Sequence, residues 1–150
     1  VSGLARGIDT AAHEGALEAG TPTLAYVGNG LATTYPPENA DLAERIVAGG
    51  GAILSEALPD EPVTKWSLVR RDRLQAAHAV ALVLVQSELD GGAMHALAAA
   101  RRLGRPRFAF EPQAAATFGG NVRALAEGAR ALPWDARQAA EALTHLAADL

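Results

Sequence analysis

Residues 80–85 read VALVLV, an unbroken apolar run, and Gly91-Gly92 follow it. A strand with one wet face alternates apolar and polar residues, whereas a strand covered on both faces does not need to. This run therefore predicts a buried strand in a parallel sheet. The approach from residue 76 extends the apolar stretch and is interrupted only by His78. The rest of the chain keeps the same rhythm of short apolar run, glycine-rich turn and helix. Residues 23–27 (TLAYV), 52–55 (AILS), 107–110 (RFAF) and 131–132 (AL) read as further strands. Residues 39–48, about 93–103 and 135–150 read as helices, with Asn39 the expected N-cap of the first. Asp9 or Thr10 is expected to cap an earlier helix that runs to about residue 19. Strands alternating with helices predict an α/β sheet with right-handed crossovers.

Composition narrows what such a sheet can do. The 150 residues suffice for one domain over 1–150, in which 133–150 holds the C-terminal helix. With 49% hydrophobic and 20% charged residues the chain has the composition of a folded protein. No apolar run approaches the roughly 20 residues of a membrane span. There is no cysteine, which excludes disulfides, thiolate nucleophiles and cysteine metal sites and fits a cytoplasmic protein. His13, His78, His95 and His145 are scattered without ligand spacing, so neither a metal nor a cofactor is expected. No GxSxG elbow occurs, and no serine has a base partner suggested by spacing. The net charge of −4 argues against general affinity for nucleic acid, so any anion site must be a local pocket. The first residue is Val1 and not methionine, so the chain is expected to be cut from a longer one.

In α/β sheets ligands sit where strands end and helices begin. The opening turn, Ser2-Gly3-Leu4-Ala5-Arg6-Gly7, puts one arginine between two glycines ahead of a helix. Helix-start amides and a guanidinium together suit a phosphate. An ordinary turn carrying a surface arginine fits equally, and the pattern is neither GxGxxG nor a P-loop. Gly28-Asn29-Gly30 ends the next strand, and Tyr35-Pro36-Pro37 stiffens the approach to Glu38 and Asn39. That stretch reads as a turn plus cap, or as a ligand contact through Glu38 or Asn39. Residues 58–65 (LPDEPVTK) form the longest irregular piece. Beyond them Lys65, Arg70, Arg71 and Arg73 gather beside Trp66, the one basic cluster in an acidic chain. Cations beside an aromatic suit single-stranded nucleic acid. A solvated helix or loop face, with Asp72 paired to a neighbour, is the other reading.

Two family patterns bear on these pieces. Residues 88–106 are faintly similar to the PGGxGTxxE signature of "lonely guy" phosphoribohydrolases. Asp90, Met94, His95 and Ala98 replace four of its positions, the last of them its glutamate. The acid or base that this chemistry needs is therefore missing. The stronger pattern is SGLARGIDTAAHEGAL, then YVGNGLATTYPPEN, ILSEALP, RRDR and GGN, in unbroken order to about Leu132. It resembles the Rossmann-like domain of the DNA-processing protein A (DprA, or Smf) family.

The resemblance implies a Rossmann-like three-layer domain with a mostly parallel sheet. It implies a non-enzymatic protein that binds single-stranded DNA in a positive pocket at the strand ends. Its role would lie in DNA uptake, natural transformation and DNA recombination, loading a RecA-type recombinase as a cytoplasmic homodimer. It implies DNA contacts by Arg6, Lys65, Arg71 and Arg73. The pocket turns would be built from Ser2, Gly3, Gly7, Gly28, Asn29, Gly30 and Asn39, with Asn121 the asparagine near the last helix. The family's FPxRNR segment reads Leu68-Val69-Arg70-Arg71-Asp72-Arg73 here, so a carboxylate replaces an asparagine, either repelling phosphate or tying up an arginine. Its SGSLxTA segment reads Gly91-Gly92-Ala93-Met94-His95-Ala96-Leu97, without the hydroxyls. Family members also carry a strand and helix ahead of the first motif. Two other functions fit the same turns: a nucleotide-binding or nucleotide-processing protein, and a degenerate dimerisation partner.

Overall fold

The computed structural model describes residues 1–113 and 118–148. The last two residues of the helix expected over 135–150 lie outside the described residues. The chain divides into two compact units, Val1–Ala79 and Val80–Leu150.

The first unit contains α1 (Ile8–Glu18), β1 (Leu24–Tyr26), a short 3₁₀ helix (Pro37–Asn39), α2 (Ala40–Ala48), β2 (Ala52–Leu54) and α3 (Lys65–His78). β1 and β2 are parallel, with Leu24 opposite Ala52 and Tyr26 opposite Leu54. Ser2 makes a single parallel bridge to Ala25, so the chain enters its first turn from a third parallel position. Successive residues of a strand face opposite sides. Ala25 packs with Leu42, Ala43 and Ile46 of α2, and Leu17 of α1 joins that cluster. Tyr26 faces the other way, its hydroxyl 2.9 Å from Nδ1 of His78 at the end of α3. Helices therefore cover both faces, and this unit has the expected three layers.

The second unit contains β3 (Leu82–Leu84), α4 (Ala93–Arg102), β4 (Arg107–Phe110), α5 (Gly119–Ala126), β5 (Arg130–Leu132) and α6 (Ala136–Ala148). Its three strands are parallel in the order β3-β4-β5. Leu84 and Ala109 pack against Leu97 of α4 and Ala124 of α5. Phe108 and Leu132 pack against Ala139 of α6 on the other side. α6 starts as expected at Asp135, whose Oδ1 accepts from the amide of Gln138 at 2.9 Å. The expected strands are present with three or four residues each: those over 23–27, 52–55 and 80–85 are shorter than expected, 107–110 is as expected and the last gains Arg130. The 80–85 run is not the fully covered strand expected, since Val80 and Val83 are exposed.

Two expected caps are corrected. Asn39 stands at the start of α2 but makes no cap bond, because its amide group is bonded to the opening turn instead. Gly7 holds the N-cap position of α1, without a side-chain cap. Asp9 accepts from the Ala5 amide and Thr10 donates to the Ala5 carbonyl, so both tie the preceding turn rather than close the helix start. α3 shows the reverse case. Thr64 and Ser67 form a reciprocal capping box ahead of a stretch with no apolar face.

His13 of α1 is fully buried, with Nδ1 2.9 Å from the Thr23 hydroxyl. Burial is the main reason its pKa falls below the ordinary value of 6.5; Asp9 opposes that shift only in part. Above pH 6.5 both folded and unfolded states hold it neutral. Below that value the unfolded chain takes the proton first, so stability falls by up to about 1.4 kcal/mol per pH unit down to the folded pKa. Urea denaturation at about pH 7.5 and about pH 5.5 checks this. We expect His13→Gln to lose less stability over that interval than the wild-type chain.

Candidate functional site

The candidate site lies wholly within the first unit, where the opening turn, the turn after β1 and the face of α3 meet. The opening turn is held from four sides. Leu4, fully buried, has φ +63°, a left-handed conformation that costs a non-glycine residue about 1–3 kcal/mol. Asn39, only 7% exposed, stabilises it: its Nδ2 donates to the Leu4 carbonyl at 2.8 Å and to Thr10 Oγ1 at 3.0 Å. The Ser2 hydroxyl donates to Asp9 Oδ1 at 2.6 Å, and the Ala5 amide donates to Oδ2 of the same carboxylate at 3.1 Å. Asp9 thus takes up one amide of the turn that the sequence left open for an anion. Gly7 follows at φ +79° and ψ −114°, a backbone conformation suited to glycine, with open space above its Cα. The result is a rigid turn that presents Arg6 at its tip. The Arg6 side chain is exposed, and its Nε donates to Oε1 of Glu38.

Arg71 is built differently from the other cations. It comes from the middle of α3 and is only 9% exposed. Nη1 donates to the Gly3 carbonyl at 2.5 Å and also to the Tyr26 carbonyl. Nε donates to Asp72 Oδ1 at 3.0 Å, and Asp72 is buried as well. The guanidinium lies so close over Gly3 that a Cβ there would sit 2.1 Å from Nη1. Of the two consequences expected from Asp72, the structure shows the second: it engages an arginine. Arg71 joins the opening turn to the end of β1.

The turn after β1 is equally tight. A Cβ on Gly28 would stand 3.0 Å from the backbone nitrogen of Leu68, and one on Gly30 would stand 1.9 Å from the carbonyl oxygen of Leu58. The Gly30 amide donates to the Glu61 carbonyl at 2.8 Å, which fastens the irregular segment before α3 to this turn. Asn29, 2% exposed, donates through Nδ2 to the carbonyls of Gly30 and Thr33.

Two adjoining clefts open on these elements. One, of about 310 Å³, is lined by Ala5, Arg6, Asn29 and Tyr35. The other, of about 410 Å³, is lined by Ser55, Glu56, Thr64, Trp66 and Arg70. Val27, Gly28 and Arg71 line both. Arg73 donates to Glu56 Oε2 at 2.5 Å, and Arg70 lies 3.8 Å from the same oxygen. Lys65, the chain's single lysine, is exposed at the first position of α3 and makes no ion pair among the described residues. Trp66 beside it is 83% exposed.

The structure thus brings together Arg6, Arg71, Gly3, Gly28 and Asn29 around the first cleft, with Arg70 and Trp66 at the second. Asn121 stands apart from this site. It lies in the second unit, where it accepts from the Ser87 amide and donates to the carbonyls of Val85 and Phe110, locking the ends of β3 and β4. Glu56 did not stand out in the sequence, because its partners lie 14 and 17 positions further on and nothing local marks the pairing. Among the described residues no three His, Asp or Glu gather as metal ligands, and no helix is long and apolar enough to cross a membrane.

Comparison with known proteins agrees with the α/β fold. The family model for DNA recombination-mediator protein A matches residues 1–144. DNA processing protein DprA of Bacillus subtilis is 32% identical over 148 residues, covering 95% of this chain and 48% of that protein. Protein Smf of Escherichia coli is 37% identical over 108 residues, covering 72% of this chain and 29% of that protein. The chain therefore spans less than half the length of these relatives. The solved structure of DNA processing protein A from Helicobacter pylori superposes with a TM-score of 0.84 at 26% identity, covering 99% of this chain and 65% of that one. That structure is described for its single-stranded DNA binding mode.

Proposed function

The chain belongs to the DNA recombination-mediator protein A family, and from that premise we propose that its first unit binds single-stranded DNA along the two adjoining clefts. The observation that carries the reading is the start of α3, where Lys65, exposed and without an ion pair among the described residues, precedes an exposed Trp66 that lines the second cleft together with Gly28. A phosphodiester finds a cation there, and an unstacked base finds an aromatic face. Arg6 and Arg73 supply further phosphate contacts from either side. Arg71, with its guanidinium committed to two carbonyls, acts as the wall that both clefts share. Ser2, Gly3, Gly7, Gly28, Asn29, Gly30 and Asn39 act by shaping the turns. Family membership supports the wider reading, in which the domain works without a catalytic step. In that reading it serves DNA uptake and recombination in the cytoplasm, pairs as a homodimer, and passes its strand to a RecA-type recombinase.

Fluorescence anisotropy of a labelled oligothymidine at low salt tests the binding itself. We expect Lys65→Ala to weaken binding by about 10-fold, the scale of one charge-assisted hydrogen bond, and Arg6→Ala, whose guanidinium must first leave Glu38, by about 2- to 5-fold. Each should also flatten the dependence of log affinity on log salt by about 0.7, the value for one phosphate of a single strand. Affinity that both substitutions leave unchanged would remove the clefts from the reading.

A further inference from the structure

Two of the exposed cations assigned to phosphate already hold carboxylates of their own chain. Arg6 is bonded to Glu38, which lies 32 residues away in the 3₁₀ helix. Arg73 is bonded to Glu56, which stands just after β2 and also faces Arg70. Neither pair joins neighbours within one helix. Each carboxylate is brought to its arginine by the fold, Glu38 to an arginine that lines the first cleft and Glu56 as part of the lining of the second. Hydrogen bonding between Arg6 and Glu38 raises the arginine's pKa and lowers the glutamate's, so the pair stays fully ionised. Lys65 alone of the assigned exposed cations makes no ion pair among the described residues.

We infer that Glu38 and Glu56 occupy phosphate positions in the free protein and keep every single exchange weak, so that a mononucleotide fails to hold the site while a strand, making several linked exchanges, succeeds. This rests on reading the clefts as a single-stranded DNA site. Exchanging one carboxylate for one phosphate swaps an anion for an anion. It gains little, and the freed glutamate remains near the incoming charge. A mononucleotide makes one such exchange and also loses its translational freedom. A strand that first docks on Lys65 makes the later exchanges within a single complex, where effective concentration favours them. The site therefore responds to several linked phosphates and ignores one. The weakness of exposed ion pairs fits this role, because a stronger pair would exclude the strand as well.

The test compares the wild-type chain with Glu38→Gln, Glu56→Gln and the double variant. The probes are labelled oligothymidine read by anisotropy and thymidine monophosphate as competitor. Each single variant is expected to bind the oligonucleotide about 2- to 5-fold more tightly, the range set by losing one exposed ion pair. Each is expected to steepen the salt dependence by about 0.7. The double variant is expected to gain on both probes: about 2- to 5-fold on thymidine monophosphate, which makes one exchange, and the product of the two single gains on the oligonucleotide. Glu38→Gln is expected to gain nothing in an Arg6→Ala background, because no arginine is then released. Oligonucleotide affinity that is unchanged or weakened in both single variants, with melting temperatures kept, overturns the inference. If the wild-type chain binds and Arg6→Ala weakens it while Glu38→Gln has no effect, the DNA-binding reading stands and the inference alone fails. If the wild-type chain does not bind but the double variant does, the carboxylates exclude the strand as well, and both the inference and the reading of the native chain as a strand binder fail.

Discussion

Replacing Arg71 by methionine is expected to destabilise the chain by about 3–5 kcal/mol, the cost of breaking a buried ion pair from one side. Methionine keeps an apolar stem in place of the arginine's and removes the guanidinium, so the loss is mainly of charge and hydrogen bonds. The carbonyls of Gly3 and Tyr26 lose their donor, and Asp72 keeps a buried charge without the guanidinium beside it. Arg71→Lys is not expected to rescue, because a single ammonium lacks the planar fork that serves two carbonyls and a carboxylate together. Adding Asp72→Asn to Arg71→Met is expected to recover part of the loss, since the buried carboxylate that faced the guanidinium goes with it. Urea denaturation followed by circular dichroism checks all three. A loss below about 1 kcal/mol for Arg71→Met would show that the guanidinium is not a structural tie, since one ordinary surface pair is worth that much. Loss of oligonucleotide binding in this variant should track loss of folded protein. In Arg6→Ala it should appear with the melting temperature unchanged.

This contrast marks how far the sequence could be read. The strands were legible as short, mostly apolar runs such as RFAF at 107–110 and VALVLV at 80–85, but full coverage was not: Leu84 is buried while Val80 and Val83 are exposed. α3 was the least legible helix. Its buried positions are Arg71, Asp72 and Ala76, so the inward face carries a charge pair and the apolar period disappears. The only local sign of it is Thr64 with Ser67 three residues on, a hydroxyl version of a capping box. At the site, residue identity marked where ligand chemistry is possible but not which groups remain available. Four cations in nine positions look alike in a sequence. In the fold Arg71 is buried and bonded to backbone, Arg70 and Arg73 share Glu56, and Lys65 stands apart. That sorting depends on partners distant in sequence, which no local pattern encodes. Asn39 makes the same point: its position suggested a cap, while its actual partner is a strained carbonyl 35 residues back.

The same change, glycine to alanine, is expected to have opposite signs at two positions of the first unit. At Gly30 the new methyl group would stand 1.9 Å from the Leu58 carbonyl oxygen and 2.2 Å from that of Pro59. These are backbone atoms, so no rotamer change relieves the contact. The loop must move, and the bonds from the Gly30 amide to Glu61 and from the Ala32 amide to Pro59 lengthen with it. Overpacking together with lost hydrogen bonds gives an expected destabilisation of about 3 kcal/mol. Because that loop leads straight into Thr64 and α3, oligonucleotide binding should fall as well, even below the unfolding temperature. At Gly15, inside α1, a Cβ meets nothing within 4 Å. Alanine there only reduces the freedom of the unfolded chain, so it is expected to stabilise by about 0.5–1 kcal/mol and to leave binding alone. Thermal melts of the two variants side by side decide the matter. Equal effects at both positions would mean that Gly30 is held by backbone preference and not by the approach of the 58–59 segment. A large loss at Gly30 beside a gain at Gly15 ties the glycines of the second turn to the geometry of the cleft.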